Sequence, residues 1–153
     1  TGYNRENRFR KMVSQIIFPA LSPINNAMIE YLFQQDIQTF EDLVKKVKRA
    51  PLREKRFHAL HAYSKAILNE WIEIPSGRGL ILIDSIVKRF QFLELRFHQQ
   101  NESRGFINYR FLLHSIFEEL GLFALQKYVP NKRRKHYYEE LIKRLDNPIH
   151  VDA

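Results

Sequence analysis

The sequence predicts an all-α protein, a single helical bundle-like domain of about seven or eight helices that covers residues 1–153. Only five glycines and six prolines interrupt the chain, and most of them lie where helices are expected to begin or end. Apolar residues recur at helical spacing in several segments. Hydrophobic residues make up 44% of the chain, which is enough to build a core without disulfides or metal ions.

Prolines and capping residues delimit the first two predicted helices. The first helix covers about residues 4–18 and ends before Pro19. Ser22 and Pro23 then form a cap followed by a first-turn proline. This pair predicts that the second helix begins there and runs to about residue 35.

A capping-box pattern announces the third helix, because Thr39 lies three residues before Asp42. We expect this short helix to end near Ala50. Pro51 is suited to the first turn of a fourth helix. Helical spacing predicts an inner face for that helix formed by Leu52, Leu60, Ile67, Leu68 and Trp71.

The clearest break in the middle of the chain lies between Pro75 and Gly79, and we interpret Ser76-Gly77-Arg78-Gly79 as a flexible turn. It lacks the Lys-Ser/Thr pair of a phosphate-binding P-loop. A long helix over residues 80–97 follows. Its apolar stripe consists of Ile83, Ile86, Val87, Phe90, Leu93 and Phe97.

The next helix is expected over residues 106–120, with Gly121 as the break after it. A last helix is predicted over residues 132–145. The helices at 80–97 and 106–120 should form the centre of the core, since both carry strong apolar stripes. In the second of them the stripe consists of Phe106, Tyr109, Leu113, Ile116, Phe117 and Leu120.

Composition narrows the possible partners. Twenty-five Lys and Arg against seventeen Asp and Glu give a net charge of +8, which favours nucleic acid, acidic proteins or an anionic membrane surface as partners. The chain has no cysteine, so it contains neither disulfides nor thiolate metal sites, and a reducing, intracellular location is permitted. No apolar run is long enough to cross a membrane.

A chain that begins Thr1-Gly2-Tyr3, without an initiator methionine, is expected to be a fragment of a longer protein.

The first candidate nucleic-acid contact is a basic run that follows the apolar helix at 106–120. A turn at Pro130 and Asn131 leads into a helix N-terminus, where free backbone N–H groups and basic side chains suit phosphate. Tyrosines that follow can stack on bases. The residues assigned to this contact are Lys127, Lys132, Arg133, Arg134, Lys135 and Tyr137.

A second basic cluster straddles Pro51, at a predicted corner between two helices, and such a corner suits a phosphate backbone. Its assigned residues are Lys45, Lys46, Lys48, Arg49, Arg53 and Arg56. A third, weaker group consists of Arg5, Arg8, Arg10 and Lys11. The alternative for each cluster is a solvated basic face or, for the first, a localisation signal.

Catalytic and metal-binding patterns are poor, so the sequence predicts no enzyme, no metal and no cofactor. His58 and His61 lie three residues apart on one helical face, but a zinc site needs three or four ligands. The adjacent acids Glu118 and Glu119 point in different directions on a helix. No nucleophile elbow or triad can be assembled.

One segment resembles a known family. The run from Arg104 to Leu113, with a Leu-Gly at Leu120, is similar to the C-terminal motif of the viral late transcription factor three family of poxviruses and other large DNA viruses. Weaker similarity extends to residues 83–97 and to the Tyr-x-Arg-x-x-x-Phe run that begins at Tyr3. The motif residues are Arg104, Phe106, Tyr109, Phe111 and Leu113.

The resemblance implies a non-catalytic factor for late viral transcription. It would act through contacts with DNA, RNA polymerase or other transcription factors, in a viral factory of the host cytoplasm or in the nucleus. Two departures stand out: Gly105 occupies a position where the family has a polar residue, and the cysteine-rich zinc element of the family is absent from this chain.

Two hypotheses of different kind remain. The first is a nucleic-acid-binding transcription module, with duplex DNA as the expected partner. The second is a protein-interaction or structural assembly module with a basic surface, supported by the 13% aromatic content. Binding to duplex DNA that weakens with salt separates them.

Overall fold

The computed structural model describes residues 2–52, 59–100, 108–129 and 135–147, without the side chains of residues 2–4, 135 and 138. Within these ranges it contains helices and no strand, which confirms the predicted all-α class. The α-helices are α1 (Gly2–Ile17), α2 (Asn26–Phe33), α3 (Phe40–Arg49), α4 (Leu60–Tyr63), α5 (Ser76–Gln99), α6 (Tyr109–Glu119), α7 (Phe123–Gln126) and α8 (Lys135–Asp146).

The second helix begins later than predicted. Asn25, not Ser22, is its N-cap, and the Asn25 side chain accepts hydrogen bonds from the amides of Ala27 (2.9 Å) and Met28 (3.3 Å). Pro19–Leu21 forms a 3-10 turn, and Ser22 ends that turn. Pro19 and Pro23 therefore both lie in the connection between α1 and α2, and Pro23 is not in the first turn of α2.

The capping box of α3 is confirmed. The Thr39 hydroxyl accepts a hydrogen bond from the Asp42 amide at 3.1 Å, and the Asp42 carboxylate accepts one from the Thr39 amide at 3.2 Å. A hydrogen bond from the Gln38 amide also stabilises this carboxylate and, with those from Thr39, lowers the pKa of Asp42. These contacts fix the start of α3 and so fix which of its faces is buried.

The fourth predicted helix differs most from the structure. Pro51 and Leu52 are not helical, and α4 continues directly into a π-helical turn, Ser64–Leu68. Asn69 ends it in the left-handed conformation with φ of 54°. Placing Trp71 on an inner helical face was wrong, because helical periodicity stops at Asn69 and the Trp71 side chain is 38% exposed.

The segment 76–79 is the first turn of α5 and not a flexible turn. The Gly79 amide donates to the Pro75 carbonyl at 2.9 Å, which closes the first helical hydrogen bond. A Cβ atom on Gly79 would lie 2.1 Å from the Phe18 ring, whereas one on Gly77 would meet nothing within 4 Å. Gly79 therefore allows the end of α1 to approach α5 closely.

The two helices expected at the centre of the core are central. α5 contacts α1, α6 and α8, and Phe9 of α1 stacks on Phe90 of α5 with ring centres 4.4 Å apart. Predicted core residues that are buried as expected are Ile83, Ile86, Val87, Phe90, Leu93, Phe97, Leu113, Ile116 and Phe117. Leu120 is an exception at 46% exposed, because α6 ends at Glu119 and Gly121 turns the chain with φ of 71°.

Two arginines of α5 hold the end of α8. Arg89 makes paired hydrogen bonds to Glu119 of α6, both at 3.0 Å, and to Asp146 of α8, both at 2.6 Å. Arg96 donates to the Leu145 carbonyl at 3.1 Å and also to the Asn147 carbonyl. Among the described residues, none of the helices combines the length and apolar character needed to cross a lipid bilayer.

Candidate nucleic-acid interface

α3 has a buried face and a basic face. Leu43 and Val47 are fully buried, and helical periodicity places the basic side chains of the later turns on the opposite side. We call this surface the α3 basic face, and it consists of Lys45, Lys46, Lys48 and Arg49. Lys46 is half-buried and the other three are exposed.

Helix stability explains part of this charge distribution. Glu41 and Asp42 lie in the first turn of α3, and basic residues fill its last turn, an arrangement that complements the helix macrodipole. Three of its four residues, however, are not neutralised by ion pairs with the described carboxylates. Within the described ranges no carboxylate forms an ion pair with Lys45, Lys46 or Arg49, so these charges remain available to a polyanion.

Lys127 lies beside the first turn of α3. Its Nζ is 5.2 Å from the centre of the Phe40 ring and 5.1 Å from the centre of the Tyr128 ring, distances typical of cation–π contacts. A helix rises about 1.5 Å per residue, so Lys45 and Arg49 lie roughly 8 and 14 Å further along the axis than Phe40. Lys127 therefore lies at the N-terminal end of α3, on the side of the helix that carries Phe40, whereas helical periodicity places Lys45 and Arg49 on the opposite side.

Tyr128 connects this region to the buried His61. The two rings stack with centres 4.1 Å apart, and Tyr128 also meets the edge of Phe40 at 5.3 Å. His61 is fully buried, with Nδ1 2.6 Å from the Ile16 carbonyl and Nε2 2.9 Å from the Ile72 amide. A carbonyl only accepts and an amide only donates, so the ring is neutral with its proton on Nδ1.

Burial is the main cause of a lowered pKa at His61, and the nearby charges of Lys127 and Lys65 lower it further. Both imidazole nitrogens already have protein partners, which argues against the metal pair considered with His58. His58 lies outside the described residues. Within those ranges, no group of three or more His, Cys, Asp or Glu side chains could hold a metal ion.

Next to Lys127 the surface opens into a cleft of about 620 Å³. We call it the Trp71 cleft, and it is lined by Asn69, Glu70, Trp71, Ile72, Glu73, Lys127 and Tyr128. The Lys65 ammonium lies 4.8 Å from the centre of the Trp71 ring. The cleft thus combines two aromatic residues, one lysine and two glutamates, and Lys65 lies over its Trp71 ring.

Several residues assigned from the sequence cannot be placed. Arg53, Arg56, Lys132, Arg133 and Arg134 lie outside the described residues. Lys135 opens α8, but its side chain is also outside them, and Tyr137 of α8 is 40% exposed. The basic run of residues 132–135 therefore remains a sequence-based prediction.

Two members of the third basic group are paired with acids. Arg5 forms an ion pair with Glu94 at 3.3 Å, and Arg10 forms one with Asp84 at 3.0 Å. Both acids belong to α5, so these arginines fasten α1 to α5.

The motif that carries the family resemblance lies mostly in the core. Phe111 and Leu113 are buried, and Tyr109 is half-buried with its ring edge against Phe9 and Phe90 at 5.7 and 5.6 Å. Desolvation is the main cause of a raised pKa at Tyr109. Arg104 and Phe106 lie outside the described residues. The described motif residues thus contribute to packing, and Asn108 caps α6 through the amides of Arg110 and Phe111.

Comparison of the chain with protein-family models, with curated proteins and with solved structures gives no match.

Sequence analysis missed the residues of the Trp71 cleft apart from Lys127, which it assigned to the first basic cluster. Lys65 and Trp71 were treated as parts of a helix, and the short helix α7, which brings Lys127 to Phe40, was not foreseen. One signal was present: Asn69 directly follows the apolar Ile67 and Leu68, and asparagine is common where a helix ends in the left-handed conformation.

Proposed function

We propose that this protein is a non-catalytic, nucleic-acid-binding module that contacts duplex DNA through the α3 basic face. The observation that carries the proposal is that Lys45, Lys46 and Arg49 lie on one solvent-facing side of a helix and make no ion pair within the described residues. Binding of phosphates by such side chains releases counterions, which favours association with DNA. The net charge of +8 adds long-range attraction.

The similarity of the Arg104 to Leu113 run to the viral late transcription factor three family supports a role in late gene transcription. In that role the module would contact promoter DNA, RNA polymerase or another transcription factor, inside the infected cell. In this proposal the motif residues build the helical core, and the α3 basic face makes the contact with DNA.

A charge-matched pair of variants tests the proposal. The site variant carries Lys45→Gln, Lys46→Gln and Arg49→Gln. The control carries Arg78→Gln, Lys88→Gln and Lys143→Gln, which remove the same charge from exposed positions on α5 and α8. We expect the slope of log Kobs for duplex DNA against log salt to fall by up to about 2.7 in the site variant alone, since each lost phosphate contact contributes about 0.9.

Equal losses in both variants would mean that only net charge matters, and the α3 basic face would then have no special role.

Replacing Arg133 and Arg134 with glutamine tests the sequence-predicted run separately. We expect weaker DNA binding with an unchanged melting temperature.

A protein-interaction module is the second candidate, and one observation favours it. Ile81, Phe92 and Leu95 of α5 are 69%, 43% and 59% exposed, and helical periodicity places all three on one side of the helix. Exposed apolar stripes of this kind are common at protein interfaces. Failure to bind duplex DNA even at low salt would favour this second function.

A further inference from the structure

We propose that the Trp71 cleft binds one unpaired nucleotide of a nucleic-acid strand, with the base stacked on the Trp71 ring and its phosphate held by Lys65 and Lys127. The inference rests on the proposed nucleic-acid function and extends it, because a base inside a duplex cannot reach an aromatic platform. Lys127 lines the cleft and also lies beside the first turn of α3.

The backbone on both sides of Trp71 is held against the core, which turns the indole outward. The Ser64 hydroxyl donates to the Glu70 carbonyl at 2.7 Å, and the Glu70 amide donates to the Ser64 carbonyl at 3.3 Å. On the other side, the Ile72 amide donates to His61 at 2.9 Å. Trp71 lies between these two attachments and is 38% exposed.

The local backbone is unusual in the same place. A π-helical turn precedes the loop, and π-turns are found frequently at functional sites. Asn69 follows it in the left-handed conformation, which is uncommon outside glycine. These features form the edge of the cleft and direct the chain away from the helix axis before Trp71.

The orientation of the Trp71 indole is restrained, but its ring remains accessible from the cleft. Its Nε1–H donates to the Glu73 carboxylate at 2.7 Å, which restrains rotation of the ring. Lys65 covers part of it with an ammonium 4.8 Å from the ring centre. An exposed cation–π contact of this kind is weaker than base stacking on an aromatic side chain, so a base can displace Lys65, whose charge then lies beside the incoming phosphate.

The carboxylates and the lysines at the cleft favour different parts of a nucleotide. Glu70 and Glu73 repel phosphate but can accept hydrogen bonds from the exocyclic amino group of a base. Lys65 and Lys127 attract phosphate and repel a cationic ligand. A lysine or arginine side chain of a protein partner is therefore a poorer occupant than a nucleotide, although tryptophan and carboxylates alone would suit it.

The fluorescence of Trp71 provides a direct test, because it is the only tryptophan in the chain. We expect a single-stranded oligonucleotide to quench this fluorescence, while an abasic strand with the same number of phosphates binds without quenching. A duplex should bind with little quenching. DNA and RNA strands of matched sequence are compared, and the one that quenches at lower concentration identifies the preferred polymer.

Variants separate the contribution of the Trp71 ring to affinity from that of the rest of the protein. Trp71→Ala should weaken binding of a labelled single strand roughly 5- to 150-fold, the range expected for loss of one stacked base. Trp71→Phe, which keeps an aromatic ring, should retain most of the affinity. Phe92→Ala is the matched control, because Phe92 is comparably exposed on α5, outside the cleft, and it should leave single-strand affinity unchanged.

The outcomes separate this inference from the function on which it rests. If strands bind but Trp71 fluorescence does not change, the stacking site is wrong and the proposed function survives. If no nucleic acid binds at low salt, both fail. If a lysine-rich peptide quenches Trp71 and an oligonucleotide does not, the cleft recognises a cation, and the inference is overturned.

Discussion

At the scale of single residues, His61 does the most to organise the candidate site. One imidazole nitrogen binds the Ile16 carbonyl and the other binds the Ile72 amide, so the ring joins α1 to the loop that carries Trp71. Its stacking on Tyr128 fixes the wall of the cleft beside Lys127. Histidine spacing drew attention to this residue, but the sequence does not reveal that both nitrogens are used inside the protein.

The neutral state of His61 predicts a loss of stability in mild acid. The unfolded chain gains a proton at His61 near pH 6.5, whereas burial keeps the folded pKa below that value. Stability is therefore complete above pH 6.5 and decreases as the pH falls below it, by up to about 1.4 kcal/mol per pH unit from this group. Urea unfolding at a series of pH values between about 5 and 7 measures the effect.

His61→Gln is the control for this prediction, because glutamine can donate and accept hydrogen bonds but does not titrate. Its stability should depend less steeply on pH than that of the wild-type protein in the same interval. Identical slopes would show that His61 does not cause the acid sensitivity.

At the scale of helices, apolar periodicity predicted the long elements and failed at their ends. The stripe of α5 was evident from the sequence because six core residues repeat at helical spacing. Its start was missed because Gly77 and Gly79 are typical of turns, and only contact with Phe18 explains why one of them lies in a helix. The capping box at Thr39 was predictable since it depends on neighbouring residues alone.

The two glycines of α5 should respond oppositely to alanine. Gly77→Ala meets no atom and should stabilise the protein by up to about 1 kcal/mol, because alanine favours helix. Gly79→Ala places its Cβ against the Phe18 ring and should destabilise it relative to Gly77→Ala. Thermal unfolding of both variants measures the difference. Equal gains in stability would show that α1 does not approach α5 at Gly79.

At the scale of the whole molecule, α5 packs against three of the described helices. It contacts α1, α6 and α8, and its arginines bind the ends of the last two. The pairing of Arg89 with Glu119 and Asp146 could not be predicted from sequence, since the partners lie 30 and 57 residues away. The candidate site is similarly assembled from distant segments, which explains why the basic clusters were visible in the sequence and the Trp71 cleft was not.

Arg89→Gln should destabilise the protein by about 1 to 3 kcal/mol, because the Arg89 side chain is only 23% exposed and makes charged hydrogen bonds to two helices. Arg10→Gln is the matched control. The ion pair of Arg10 with Asp84 is more exposed, at 42% and 62%, and such pairs contribute little. Chemical denaturation compares the two. Similar changes in the free energy of unfolding would contradict a bridging role for Arg89.

The central claim is that the α3 basic face binds nucleic acid through phosphate contacts. The most direct measurement is the affinity of the wild-type protein for a labelled DNA duplex between about 50 and 200 mM salt. Phosphate contacts by Lys45, Lys46 and Arg49 predict a linear fall of log Kobs with log salt and a slope of about −2.7 from this face. Absence of binding at the lowest salt, or an affinity that does not change with salt, would contradict the claim.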